Sequence, residues 1–302
     1  NAYLVDGPNL LVTKRMHPLS PGLPEVDAGS KAVDWGLLTI EPDQYAEINS
    51  DDIARKYLRR YCGGDELINK KDRWCLWFVG ANLDELYASP VLEARLAAVR
   101  EKRLASTKPA TRRGAATPHL FEERRQPMVD YLGIPQTFTE NRLYATVARL
   151  TPDVIASIKL FTSPDPDGYL FAVISSSMFM TWQKTVGGRM KSDPSFTNTI
   201  VWNTLPLPPV DDDIRRKLIH AGNEIVAVRD NYPELSLADL YDPGRMEPDL
   251  IGAHEKLDAL VDRAFGAPGL CSSERERQRI LFARYQELTS PLLTQKVPRR
   301  AR

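Results

Sequence analysis

Lys191 and Asp193 stand two residues apart in the polar run Arg189–Asn198. One side chain only donates hydrogen bonds, and the other, when ionised, only accepts them. If the run is extended, residues i and i+2 point to the same side, so the pair presents an ammonium beside a carboxylate. In a DNA major groove an ammonium suits guanine O6/N7, and a carboxylate suits the N4 amine of the paired cytosine. The two would then read both halves of one G·C pair. The same residues fit an ordinary surface turn, because Ser-Asp-Pro is a turn signal and a lysine two residues from an aspartate is often a solvated pair. Ser192 and Ser195 share the run as further base-contacting candidates. Arg189 in the run and Lys184 just before it are candidates for phosphate.

The flanking sequence must hold that run in place. Tyr169–Ile174 is apolar and rich in aromatic and β-branched residues, which predicts a buried strand. Ser175–Ser177 supplies N-cap hydroxyls. Met178, Trp182 and Val186 follow at i, i+4 and i+8, one stripe of a three-turn helix. Gly187-Gly188 ends it. Thr199–Asn203 reads as a second strand, stopped by Pro206, Pro208 and Pro209. The expected unit is strand, helix, exposed polar loop, strand.

A second set of polar residues lies upstream. The segment from Arg95 to Arg125 holds nine Lys/Arg against three acids, and its middle, STKPATRRGAAT, is small, hydroxylated and basic. A mobile loop of that composition suits phosphate contact through Lys108, Arg112 and Arg113; it equally suits a solvated charged loop. Gln136, in the strand-like IPQTF, has an amide that fits adenine N6 and N7, or is an ordinary strand polar residue. In TPDVIASIKL a Pro-Asp precedes Lys159, but Ser157 stands where a metal-dependent nuclease needs a carboxylate, so no nuclease is read there. Lys159 remains a base-contacting candidate at a strand end.

Composition bounds the rest. The chain has 302 residues, 42% hydrophobic and 26% charged, with 40 basic residues against 40 acidic. Nothing global announces nucleic acid, so affinity must come from local clustering. Apolar runs fall short of the ~20 residues of a membrane span. Three cysteines without a CxxC pattern suggest a reducing compartment, and four scattered histidines show no metal-ligand spacing. The start at Asn1 suggests a piece of a longer chain. Asn1–Arg15 reads as two strands across Gly7-Pro8-Asn9, and residues 16–36 as a linker. Helices are expected over Tyr45–Tyr61 and Leu86–Leu104, and a strand over Arg73–Val79. From Asp211 the pattern turns helical: Asp211–Arg229, Ser236–Tyr241, Asp249–Phe265 and Ser273–Leu288 carry apolar stripes that should pack together. The fold class is therefore α+β, a mixed sheet-and-helix domain at 17–209 followed by an all-helical domain at 210–290, with a basic tail at 291–302 expected to lack structure.

The stretch ISSSMFMTWQKTVGGRMKSDPSFTNTIVWNTLPLP resembles the target-recognition domain of MmeI-type (Type IIL) single-chain restriction–modification enzymes. PLSPGLPEVDAGSKAVDWGLL, ELINKKDRWCLWFV, IPQTFTENRLY, NYPELSLADLYDPGRMEPDLIGAHEKLDALVDRAFG and RILFARYQELTS extend the likeness from about residue 1 to 290. The resemblance implies that residues 1–16 end an adenine-N6 methyltransferase, and that upstream methyltransferase and nuclease domains of the same polypeptide are partners along with duplex DNA. It implies S-adenosylmethionine and Mg for the intact enzyme, a cytoplasmic setting, and a base-setting role for Lys191 and Asp193. The catalytic Asn/Asp-Pro-Pro-Tyr/Phe clamp and the glycine-rich cofactor loop of such a methyltransferase do not occur here, since Pro208-Pro209 is flanked by Leu207 and Val210. No catalytic residue, cofactor or metal is assigned to this chain. Pro194 departs from the family, where an aromatic or basic residue is more usual; it would bend the loop and displace Ser195. The competing readings are a protein-interaction scaffold, and the recognition part of a methyltransferase without a nuclease.

Overall fold

The computed structural model describes Tyr3 and residues 10–294, the last four as helix backbone. Contacts divide the chain into a sheet unit (27–135 and 148–164) and a helical unit (1–26, 136–147 and 165–302). The two strands expected over Asn1–Arg15 lie mostly outside the described residues, and Leu10–Arg15 is not a strand. Of the basic tail, residues 291–294 continue the last helix instead of lacking structure, and the remainder lies outside the described residues.

The sheet unit contains β1 (Asp27–Ala28), β2 (Thr39–Ile40), α1 (Tyr45–Ser50), α2 (Asp52–Tyr57), β3 (Leu58–Cys62), α3 (Gly64–Asn69), β4 (Trp74–Leu76), α4 (Leu83–Tyr87), α5 (Pro90–Leu104), α6 (Pro109–Arg113), β5 (Tyr131–Pro135), β6 (Ala148–Leu150), β7 (Ile155–Ala156) and β8 (Leu160–Pro164). One sheet runs β1-β8-β5-β6, antiparallel throughout. The other runs β2-β4-β3-β7, with only β3 and β7 parallel.

Helix α5 starts where Ser89 Oγ accepts the Leu92 N–H at 3.2 Å and Pro90 takes the first position, both start signals. Its buried stripe is Leu92, Leu96, Val99 and Arg103. The three apolar members pack with Leu38, Ile40, Ile48, Leu76 and Phe78. Arg103 continues the same helical period as a buried cation, and all five of its N–H donors end on backbone carbonyls. Nε donates to Val33 O (3.2 Å), Nη1 to Gly114 O (3.0 Å) and Thr117 O (3.1 Å), and Nη2 to Ala32 O (2.9 Å) and Leu120 O (2.8 Å).

Three expectations are corrected in this unit. The helix over Tyr45–Tyr61 breaks at Asp51, whose carboxylate caps α2 by accepting from Ile53 (2.9 Å) and Ala54 (2.8 Å); its last residues become β3. The basic segment is not a mobile loop: α6 and a 3-10 turn at Gly114–Ala116 occupy it, with Thr111 buried and bonded to Glu122. The IPQTF strand ends at Pro135, where the chain passes to the other unit.

The helical unit contains α7 (Tyr169–Ile174), α8 (Ser177–Val186), β9 (Gly188–Met190), β10 (Asp193–Ser195), a π-helical turn (Asn198–Trp202), α9 (Asp212–Asp230), α10 (Leu237–Leu240), α11 (Pro248–Ala264) and α12 (Glu274–Thr294). Tyr169–Ile174 is a helix rather than the expected strand. All six residues are buried, and an apolar run buried all round carries no period to separate the two. The preceding acids decide it. Asp165 accepts from Leu170 N and Phe171 N at 3.0 Å each, and Asp167 from Tyr169 N at 3.1 Å, which satisfies the donors a helix leaves open at its start. The second expected strand is the π turn, held because Trp202 donates to Pro24 O (2.7 Å) and Trp182 to Val201 O (3.1 Å). Helix α9 crosses α7 at Gly222, where a Cβ would meet Ala172 Cβ at 3.0 Å.

Replacing Arg103 with Met should strand five carbonyls, each worth ~1–3 kcal/mol if left unmet, and should expose the 106–117 segment to trypsin at Arg112 and Arg113. Unchanged cleavage kinetics would refute the anchoring role. Gly222→Val should cost about 1–3 kcal/mol by overpacking, read as a lowered midpoint in thermal unfolding.

Candidate functional site

β9 and β10 form an antiparallel hairpin in which Met190 faces Asp193, Arg189 faces Pro194 and Gly188 faces Ser195. Lys191 and Ser192 are its two-residue turn. This overturns the extended geometry expected for Lys191 and Asp193: a turn residue and a strand residue do not share a pleat. Lys191 has φ +59°, a region that costs a side-chain-bearing residue about 1–2 kcal/mol. It is exposed, and its ammonium makes no ion pair with the described residues. Met190 beside it is also exposed.

The hairpin is braced on its other edge by the segment after β5. Phe138 N donates to Pro194 O and Phe196 N to Gln136 O, both at 2.9 Å, with Thr137 bridged to Ser195. Neither bond needs an N–H from Pro194, so this proline sits buried in β10 without displacing Ser195. Asp193 Oδ1 accepts the Glu140 N–H at 3.0 Å, and Arg189 donates to Ser192 O at 2.8 Å and lies 3.5 Å from Glu140. Arg189 and Asp193 therefore shape the loop they stand in. From below, Gln183 Nε2 donates to Ser195 O at 3.1 Å. Gly187 permits this: a Cβ there would lie 2.4 Å from Gln183 Nε2. Phe196 is buried near Phe179 and Trp202.

The structure thus brings Arg189, Lys191, Ser192, Asp193, Ser195 and Gln136 together. Lys184 is half-buried on α8 and lines a small cleft with Tyr144, Ser177 and Arg277. Lys108, Arg112, Arg113 and Lys159 belong to the sheet unit and are exposed. Arg112 donates to Ser106 O and Thr107 O, both at 2.9 Å. Ser157 Oγ, where a metal-dependent nuclease would carry a carboxylate, accepts the Lys159 N–H at 3.2 Å.

A buried polar network supports α8 and was not legible in advance. Asp258 on α11 accepts from Ser177 N (2.7 Å) and Ser177 Oγ (2.6 Å) at the start of α8. Arg277 on α12 is paired with Asp262 (2.8 Å) and reaches Asp258 (3.9 Å). Tyr144 stacks on His254 at 3.8 Å and donates to Asp258 at 3.4 Å. His254 Nδ1 donates to Ser175 O at 3.0 Å, so Nε2 accepts from Tyr241 OH at 2.7 Å, and that hydroxyl takes Arg229 Nε at 2.9 Å. Burial, reinforced by Arg229, pushes the His254 imidazole down to about 3. Burial pushes the Asp258 carboxyl up to about 6, against its bonds to Ser177.

Residues 6–209 match the family model for the MmeI target recognition domain, and residues 210–293 the model for the MmeI C-terminal domain. The chain belongs to the MmeI family. DNA methyltransferase A of Bacillus subtilis (strain 168) is 32% identical over 288 residues, 95% of this chain and 32% of that protein. A solved structure of the Type IIL restriction-modification enzyme MmeI in complex with DNA is 38% identical, with a TM-score of 0.87, over 95% of this chain and 38% of the other. The chain spans about a third of the length of these two relatives.

Sequence reasoning missed Glu140, whose N–H is the partner of Asp193 from 53 residues away, and no local signal pointed to it. Arg103 and Asp258 each continue the spacing of an apolar stripe, Arg103 after Val99 and Asp258 beside Leu257, and that is the signal that would have found them.

The two titrating groups act in opposite senses. The His254 contribution to stability is complete above its ordinary 6.5 and is lost as pH falls toward 3. The Asp258 contribution is complete below 3.8 and is lost as pH rises through about 6. Between these limits the slopes oppose. His254→Gln should leave stability falling from pH 4 to 6, and Asp258→Asn should leave it rising, both read from urea midpoints. The same slope in both variants would contradict the assignment.

Proposed function

We propose that this chain recognises a specific sequence in duplex DNA and positions an adenine-N6 methyltransferase carried by the same, longer polypeptide, with a nuclease alongside it. The carrying observation is the hairpin Gly188–Ser195, a two-stranded ribbon braced on one edge and from below, with Lys191 exposed at its turn. A two-stranded ribbon is one of the elements a major groove admits. Membership of the MmeI family and the likeness to an enzyme solved with DNA support this reading.

In the proposed mechanism Lys191 donates to guanine O6/N7. Asp193 keeps the Glu140 N–H on Oδ1 and accepts the cytosine N4 amine with its remaining lone pairs. Ser192, Ser195, Gln136 and Lys159 are the further base-contacting residues. Arg189, Lys184, Lys108, Arg112 and Arg113 contact phosphates, which fix register without carrying sequence information. The chain itself performs no chemistry in this reading. S-adenosylmethionine and Mg belong to the other domains of the polypeptide, and the setting is the cytoplasm.

Binding to duplex should weaken steeply with salt, the log–log slope shrinking by about 0.9 for each of Lys108, Arg112 and Arg113 removed. The Lys191→Ala/Asp193→Ala double variant should keep its affinity for random duplex and lose discrimination among the four base pairs at one position. Exchanging the order of charge, Lys191→Glu with Asp193→Arg, should turn the preference from G·C to C·G. An unchanged preference would remove the hairpin from sequence reading, and salt-independent or absent binding by the full polypeptide would remove the DNA role.

A further inference from the structure

The sheet unit carries an open cleft of about 540 Å³, lined by Lys31, Asp34, Trp35, Tyr61, Arg73 and Lys159 among others. That size lies within the ~300–1,000 Å³ of small-ligand sites. Nothing in the hairpin mechanism uses it as a pocket. Trp35 is 52% exposed at its rim, whereas the other four tryptophans are buried or half-buried. The loop holding it is strained: Val33 and Trp35 have φ +51° and +53°. A β-branched or bulky residue there is an outlier, and such outliers concentrate at functional sites.

Asp34 sits between them and lines the same cleft. Its Oδ2 accepts three hydrogen bonds, from Leu38 N (2.8 Å), Thr39 N (2.7 Å) and Thr39 Oγ1 (3.0 Å), which clamp the loop. Its Oδ1 accepts none from the described residues, although Asp34 is only 7% exposed. Asp34 lines the cleft and this oxygen is not sealed from solvent, so it is open to a donor that arrives there. The cations sort in the same way. Arg73 is committed to Glu41 (2.8 Å) and Glu66 (3.6 Å), and Lys31 approaches Glu123 (3.9 Å). The Lys159 ammonium makes no ion pair with the described residues.

We propose that this cleft receives an unstacked nucleobase bearing an exocyclic amine. The base lies on the Trp35 indole, its amine donates to Asp34 Oδ1, and Lys159 donates to a ring nitrogen or carbonyl oxygen of the same base. Adenine, cytosine and guanine meet this pattern, and thymine, with no amine, does not. Stacking on an exposed aromatic side chain is the recurring way in which proteins hold bases of single strands. The proposal is independent of the hairpin, assigns the base contact of Lys159 to this cleft instead of the duplex, and identifies the ligand as a nucleotide of a strand that is locally unpaired.

The test is a tryptophan-fluorescence titration of this chain with single-stranded 12-mers of dA, dC and dT, and with dAMP as the unlinked source. Oligo-dA and oligo-dC should quench, and oligo-dT should bind about tenfold more weakly, the factor one lost base-specific bond carries. An oligomer of unsubstituted purine, which deletes only the amine and leaves the protein untouched, should behave like oligo-dT. Trp35→Phe should abolish the quench and Lys159→Ala should weaken binding. Quenching by dAMP alone as strong as by the strand would place a free nucleotide, not a strand, in the cleft and overturn the strand assignment. Equal quenching by dT or by the purine oligomer, or a quench surviving in Trp35→Phe, would overturn the site. Sequence-specific duplex binding with no quench by any single strand would do so too, while leaving the hairpin reading intact.

Discussion

A guanidinium with five carbonyls around it is what the sheet unit is built upon. Few residues of residues 27–135 lie in long regular elements, so much of the backbone there cannot satisfy itself through a ladder or a helix. Arg103 collects carbonyls from Ala32 and Val33 on one side of the sequence and from Gly114, Thr117 and Leu120 on the other. The planar fork of five donors is the one side chain that can serve so many acceptors at once, and a lysine in its place would serve at most three. The loop bearing Trp35 and the basic segment bearing Lys108, Arg112 and Arg113 are both tied to this group, alongside the Asp34 clamp on the one and the Thr111–Glu122 bond on the other.

The helical unit solves the same problem with carboxylates. Asp165 feeds the open donors of α7, and Asp258 feeds those at the start of α8. The C-terminal helices therefore do more than cover the central helices: α11 supplies a hydrogen-bonding group that α8 needs, and α8 in turn carries Gln183 to the hairpin. Rigidity at the turn is inherited along this route through specific bonds as well as through apolar contact. The packing of α9 on α7 at Gly222 adds a steric stop.

Periodicity made α5, α9, α11 and α12 legible, because each buries one stripe and leaves the rest in water. It failed at Tyr169–Ile174 and Thr199–Asn203, which are apolar and β-branched yet helical, because enclosure removes the contrast from which a period is read. The hairpin escaped notice for another reason: Lys-Ser is not one of the dipeptides that announce a two-residue turn, and Gly-Arg-Met and Asp-Pro-Ser do not alternate. What the sequence did expose was chemical character. Lys191 was recognisable as an available cation, but the partner of Asp193 was not, since it is a backbone N–H brought from a distant loop.

The backbone conformation of Lys191 ties two properties that are usually separate. Asparagine and glycine are at ease with a positive φ, and lysine is not. Drift at this position is therefore biased: a change to asparagine relaxes the chain while exchanging a cation for a neutral amide. A lineage that keeps lysine here is holding an exposed ammonium at the tip of the hairpin against a conformational gradient.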